Sequence, residues 1–431
     1  MVGASGGVLR SQWSGGHWRL LETIGKSTQI YASVDFSVGG YWSRRSWYYP
    51  NSGISLVPVR HEFPARSDLI KLGRRGAVSA LARDKSLTHC AFAAERPIGF
   101  CLQEGLSDPP EVVAVDGEAW RIHAISPLDA RYSSIRPLVS QQMVWRVNDL
   151  TSSGFVVFPR DFVAGGRYPA ILVTHGYDAD DSFAYWGLQW SYPVQLWAER
   201  GYVVICVNDV PVSYPPERFA ATMQWNTGIG TMPAEQVMQT GWLDHLKIYR
   251  KVIEDLAGAG TIDRSRVGIV GYSRGSQMVN VAVSQTDLFR AASSGDGSFF
   301  SPTSYWTGGN RVFYSTLFGG APGNAAAEDN WRKLSPAYRA DAVSAAVLFQ
   351  SAGNKAGMQD FFGALQEAGV PAEFIDFRNE THLFHYPRNR AIAMEQNLDW
   401  FDFWLKGERD PSSAKDEQYA RWQVMRARWK P

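Results

Sequence analysis

Three cysteines in 431 residues are few, and Cys90, Cys101 and Cys206 are an odd set without metal-ligand spacing. The count argues against a disulfide framework. Cys206 lies in the apolar run Tyr202-Val203-Val204-Ile205-Cys206-Val207 and reads as a core thiol. Charge of one sign is also missing: 43 Lys and Arg stand against 42 Asp and Glu, a formal net charge of +1. That balance gives no electrostatic reason to expect a nucleic-acid or anionic-membrane partner. No run approaches the roughly 18 apolar residues that span a bilayer. The N-terminus, Met1-Val2-Gly3-Ala4-Ser5-Gly6-Gly7, lacks a basic region followed by an apolar block. No signal peptide is visible, and a cytoplasmic protein is the default expectation.

Apolar residues are plentiful. Hydrophobic residues make up 45% of the chain and aromatics 13%, including 17 Trp, enough for one large core and a second unit. Residues 1–140 read as short β segments between turns, such as Thr28–Val34, Thr88–Ala94 and Glu111–Asp116, with no helical periodicity. From about residue 141 strands and helices alternate, the pattern of a mostly parallel sheet covered on both faces. Eight strands are expected, at 142–147, 153–158, 169–174, 202–208, 266–270, 290–294, 345–351 and 372–377. A helical stripe of Trp242, Leu243, Leu246, Tyr249, Val252, Ile253 and Leu256 separates the fourth from the fifth. The segment 301–340, rich in Gly, Ser, Tyr and Trp, is an excursion between the sixth and seventh strands and a candidate active-site wall.

The chemistry gathers at Gly271-Tyr272-Ser273-Arg274-Gly275. The apolar run Arg266–Val270 precedes it, and the helix-like run Ser276–Val283 follows. Strand, G-x-S-x-G, helix is the pattern of a nucleophile elbow, a turn sharp enough to leave a serine hydroxyl above the sheet. The amide of Arg274 then opens a helix, where it can stabilise an oxyanion. A second donor is expected from the loop after the third strand, in His175-Gly176-Tyr177, through the amide of Gly176 or Tyr177. The base should be a histidine late in the chain, and His382 and His385 follow the last strand. Their spacing permits a metal pair, but no H-E-x-x-H or other carboxylate-histidine set accompanies them, so no metal or cofactor is expected. His17, His61, His89, His123 and His245 read as surface or packed structural residues.

The region 141–409 resembles the prolyl oligopeptidase family of serine peptidases. The likeness rests on Arg167–Gly176, Ile262–Ser273 and Glu367–Phe374, with Pro109–Asp116 similar to a late propeller strand. Within that family it is similar to bacterial lasso peptide isopeptidases, through Tyr192–Tyr202, Asn397–Gly407 and the tail residues Asp410-Pro411 and Gln418–Trp422. The resemblance implies an α/β-hydrolase domain at 141–409 and an N-terminal all-β, partial propeller-like cap at 1–140. A helical tail is expected at 410–431. About 140 residues suffice for roughly three blades, fewer than the four to eight of closed propellers.

An ungapped match places His382 on the family's catalytic histidine. It places Asn354 where the family carries its acid, after the seventh strand. Asn can orient an imidazole but brings no charge, so the carboxylates Asp296, Asp360, Asp376 and Glu380 are the alternatives. Asp296, in Ser293-Ser294-Gly295-Asp296-Gly297, also reads as a plain turn residue. The resemblance implies a peptide substrate and hydrolysis of peptide or isopeptide bonds through an acyl-enzyme. An esterase or a dipeptidyl- or acylaminoacyl-type peptidase on the same machinery, or a weakly active or non-catalytic peptide binder with Asn354 in the acid's place, stays open at this level.

Overall fold

Short antiparallel strands account for the first part of the chain in the computed structural model. It describes all residues except 16, 40–44, 63–64, 74–75, 77, 83–84, 128–133, 135, 179–191, 211–219, 221–232, 298–299, 309–310, 354 and 430–431. The chain forms two compact units, one containing Met1–Val144 and the other most of residues 145–431.

The first unit holds three antiparallel sheets. One is formed by β1 (Val8–Ser14), β2 (His17–Ile24) and β3 (Ser27–Val34). A second holds β4 (Phe36–Val38), β5 (Trp47–Tyr49), β6 (Ile54–Glu62), β7 (Ala65–Leu72) and β8 (Val78–Ala80). The third holds β9 (Ser86–Phe92), β10 (Ile98–Gly105), β11 (Asp108–Asp116) and β12 (Arg121–Pro127). Two apolar clusters fill this unit, one around Leu9, Leu20, Val57 and Ile70, the other around Leu56, Leu69, Val113 and Val115. His61 is buried here between Asp35 and Asp68. Burial alone would lower its pKa, but the two carboxylates outweigh it and raise it.

One expectation is corrected in this unit: Cys90 and Cys101 form a disulfide, with Cα atoms 4.1 Å apart. The β9–β10 register explains the meeting. Phe100 pairs with Ala91 and Leu102 with Thr88, so Cys101 alone faces His89 and Cys90. This is a bulge, and His89 takes a left-handed φ of 49° to accommodate the extra residue. An odd cysteine count concealed one bridge plus one core thiol, the fully buried Cys206.

The second unit is built on an eight-stranded sheet. Its strands are β13 (Ser140–Val147), β14 (Leu150–Val157), β15 (Tyr168–Asp178), β16 (Val203–Asp209), β17 (Ile262–Tyr272), β18 (Ala291–Gly295), β19 (Ala346–Ser351) and β20 (Ala372–Asp376). They lie in the order β13-β14-β16-β15-β17-β18-β19-β20, and the six from β15 to β20 pair in parallel. The central β16 is buried at every position, as a strand covered on both faces requires. Because β16 and β17 lie on opposite sides of β15, the strand order reverses there. The carboxyl ends of these strands are where open α/β sheets bind ligands.

The helical stripe forms the helix Asp244–Gly258, preceded by a π-turn at Gln239–Leu243. The π-turn inserts one residue per turn, so Trp242 is buried while Leu243 is only half-buried. A C-terminal helix, Asp416–Arg428, lays Tyr419 and Trp422 into the core, with the Trp422 ring 5.0 Å from Trp400. Among the described residues, no helix is long and apolar enough to cross a membrane.

Candidate active site

β17 ends at Tyr272 and the helix Arg274–Gln285 begins two residues later, leaving Ser273 alone in the turn. Its backbone sits at φ 57°, ψ −118°, a strained conformation for a residue with a Cβ. Glycines on either side make the turn possible. A Cβ on Gly271 would lie 2.4 Å from the Gly275 carbonyl oxygen, and one on Gly275 would lie 2.5 Å from that of Thr174. The strained turn is tied to the sheet by the Ser273 amide, which donates to the Gly295 carbonyl at 2.8 Å.

His382 reaches this serine from the far end of the sheet. Its Nε2 lies 2.8 Å from Ser273 Oγ, and its Nδ1 lies 2.7 Å from Asp296 Oδ2. Asp296 follows β18, is fully buried, and carries a left-handed φ of 35°. Its other oxygen, Oδ1, accepts the amides of Ala352 and Gly353, both at 2.6 Å. Three donors thus converge on one carboxylate, which fixes its plane. Asn354 lies outside the described residues.

The remaining candidate carboxylates are engaged elsewhere. Asp360 accepts the amide and hydroxyl of Thr303, each at 2.7 Å, and Asp376 pairs with Lys355 at 2.8 Å. Glu380 accepts the His385 amide at 2.6 Å, the Tyr386 amide at 3.1 Å and the Asn389 side chain at 2.8 Å. Burial would raise its carboxyl, but these donors outweigh it and hold it below the usual range. His385 Nε2 meets Thr381 Oγ1 at 2.7 Å. Among the described residues, no three His, Cys, Asp or Glu side chains group as metal ligands.

The side-chain contacts of Tyr272 and Arg274 escaped the sequence reading, which used only the Arg274 amide. Tyr272 donates its hydroxyl to the His382 carbonyl at 2.6 Å, holding the histidine loop against the elbow. Burial, and then the charges of Asp296 and Glu380, push its phenol well above the ordinary range, so it remains a donor. Arg274 turns its guanidinium over the Trp242 ring, 4.3 Å from its centre, and donates to Gln277 at 2.7 Å and to the Gly241 carbonyl. Trp242 in turn meets Phe300 at 4.7 Å, which meets Phe318 at 6.0 Å. An aromatic chain therefore runs from the 301–340 excursion to the residue beside the nucleophile. The only hint of Tyr272 and Arg274 was their place as the variable residues of G-x-S-x-G.

Arg274 supplies the first amide of its helix, where no intrahelical acceptor is available. Gly176 and Tyr177 lie in the last residues of β15, where its register with β16 breaks between Thr174 and Asp178.

Strand order and elbow together make this unit an α/β-hydrolase. The model of the prolyl oligopeptidase family matches residues 246–408. The lasso peptide isopeptidase AtxE2 of Asticcacaulis excentricus is 27% identical over 346 residues, 79% of this chain and 48% of the isopeptidase. The dipeptidyl-peptidase 5 of Porphyromonas gingivalis is 24% identical over 274 residues, 58% of this chain and 36% of that protein. The chain thus spans about half the length, or less, of these curated relatives. A solved structure of an AtxE2 isopeptidase variant with Astexin3-dC4 bound has a TM-score of 0.78 and 20% identity, covering 97% of this chain and 64% of that one. The uncomplexed acylaminoacyl peptidase of Pyrococcus horikoshii has a TM-score of 0.66 and 20% identity, covering 93% and 61%. Both superpositions bear on the fold.

Proposed function

We propose that this chain is a serine hydrolase that cleaves peptide or isopeptide bonds through an acyl-enzyme, with Ser273, His382 and Asp296 as its triad. The observation that carries the reading is the unbroken line from Ser273 Oγ through both ring nitrogens of His382 to a buried carboxylate, at 2.8 and 2.7 Å. Ser273 Oγ attacks the carbonyl carbon while its proton passes to His382 Nε2. The new oxyanion rests on the amide of Arg274 and one from Gly176 or Tyr177. His382 then returns the proton to the leaving nitrogen, the C–N bond breaks and the amine departs. Water, activated by the same imidazole, attacks the ester carbonyl and restores the free hydroxyl. Asp296 Oδ2 accepts Nδ1–H throughout, which fixes the tautomer and stabilises the imidazolium. A carboxylate facing Nδ1 removes the main motive for a non-catalytic binder.

For substrate, the likeness to AtxE2 favours a peptide closed by an amide to an Asp or Glu side chain. The dipeptidyl-peptidase relatives favour a linear peptide on the same machinery. Two measurements test the reading. A fluorophosphonate probe should add one phosphonyl group to Ser273 and none to Ser273→Ala, as read by mass spectrometry. Incubation with an isopeptide-closed lasso peptide should add 18 Da, whereas a linear peptide cut in its main chain would support the second reading. An unlabelled Ser273 in a folded chain would rule out both.

A further inference from the structure

We infer that Tyr249 is a positioning residue for the oxyanion segment, its hydroxyl tying the two ends of that segment together through Thr174 and Asp209. The inference deepens the function proposed above and rests on it for its catalytic consequence, while its structural content stands independently. β15 and β16 run in step from Ala170↔Val203 to Thr174↔Val207, and pairing resumes only at Asp178↔Asp209. Four steps on β15 therefore match two on β16, so the three residues His175-Gly176-Tyr177 stand opposite Asn208 alone, a surplus of two. Such a bulge locally disrupts the ladder and can re-aim the backbone beside an active site.

A side-chain clamp accompanies the bulge. Thr174, at the start of the bulge, lies 2.6 Å from the Tyr249 hydroxyl, which donates to Asp209 Oδ1 at 2.8 Å. Asp209 is also the residue whose backbone meets Asp178 at the end of the bulge. The side-chain relay Thr174–Tyr249–Asp209 therefore spans the same interval as the bulged backbone. All three residues are at most 2% exposed, so water does not compete for these bonds. Burial, reinforced by the Asp209 charge, keeps the Tyr249 phenol protonated far above neutral pH. His245 Nε2 stands 4.0 Å from Asp209 Oδ1, and the positive charge of Arg274 also acts on the Tyr249 phenol. The end of β15 also abuts the nucleophile turn, because Gly275 packs against the Thr174 carbonyl closely enough to forbid a Cβ. A shift of Thr174 thus moves the oxyanion segment relative to Ser273. Misplacing such a group by about 1 Å costs on the order of 10²-fold in rate.

The test uses the full chain with Tyr249→Phe, Thr174→Val and the double variant, well below their melting temperatures. Two quantities are read: amide hydrogen exchange over residues 174–178, and the second-order rate of Ser273 phosphonylation by a fluorophosphonate. The clamp predicts exchange at least 10-fold faster in that segment for both single variants. It also predicts phosphonylation slower by about 10- to 100-fold, with the double variant no worse than the poorer single one. Unchanged exchange over 174–178 in both variants would overturn it. So would faster exchange spread evenly along the helix Asp244–Gly258 with phosphonylation within twofold of the parent, which is the signature of a packing role alone. A parent chain that is not phosphonylated would count against the proposed hydrolase, while the exchange measurement would still decide the clamp.

Discussion

Asp296→Asn is the sharpest perturbation of the proposed triad, because it changes charge and hydrogen-bond polarity at nearly constant volume. In the parent, Oδ1 accepts two amides, from Ala352 and Gly353, and Oδ2 accepts one N–H from His382. An asparagine has one acceptor oxygen and one NH2. Two fixed backbone donors outvote one, so the oxygen takes the Oδ1 seat and the NH2 faces His382 Nδ1. Nδ1 must then act as acceptor, the ring proton moves to Nε2, and the imidazole can no longer accept the proton of Ser273. The same change of tautomer in a serine protease costs about 10⁴ in kcat, which at about 1.36 kcal/mol per tenfold is roughly 5.5 kcal/mol of barrier. The assay is kcat/KM of parent and variant on a peptidyl amide, with thermal melts to show equal folding. A loss below tenfold in a variant that melts with the parent would refute the reasoning and shift the acid's role away from Asp296.

His382→Ala should lose about 10⁴-fold in kcat/KM, whereas His385→Ala, which gives up only its bond to Thr381, should stay within a few-fold; the reverse ranking would reassign the base. Glu380 carries a lowered pKa, so its contribution to stability is complete above about pH 4.5 and is lost as pH falls through the lower folded value. Glu380→Gln should therefore melt below the parent at pH 7, with the gap narrowing as pH falls below about 4.5; a gap of constant size across that range would show that the charge is not what holds the loop. Replacing Cys90 and Cys101 together with Ala opens a loop with a sequence separation of 11 residues. That should cost about 2–3 kcal/mol in urea unfolding, and added reductant should then have no further effect.

The fold was readable because its signals are periodic and local. Each of the eight apolar segments read as strands corresponds to one of β13 to β20, since a strand buried on both faces is a continuous run of Val, Ile, Leu and Ala. Ser273 stood out because its turn needs glycines at fixed offsets. The carboxylate on His382 did not, because nothing local distinguishes Asp296 from a turn aspartate. Its surroundings come from elsewhere in the chain, from the amides of Ala352 and Gly353 and from His382, 86 residues away. A family pattern that directs attention beyond the seventh strand therefore points first to Asn354 and leaves Asp296, after the sixth, as an alternative. The bridge between Cys90 and Cys101 was hidden for a related reason. It depends on a bulge that sets Cys101 against two residues, and register at that level of detail is not written in composition. The Tyr249 relay was likewise invisible, since Tyr249 reads as one more apolar position on a helical stripe.

The distribution of the three cysteine sulfurs has a practical consequence. Two are locked in the β9–β10 bridge, and the third, Cys206, has no solvent-exposed surface and a thiol pushed by burial far above its ordinary range. Disulfide shuffling needs an accessible thiolate, and the oxidised chain carries none. The folded molecule is therefore inert toward maleimides and iodoacetamides, and a single cysteine introduced on its surface would be its sole point of attachment. A spectroscopic probe placed beside the histidine loop in this way could follow substrate engagement with no background from the native thiols.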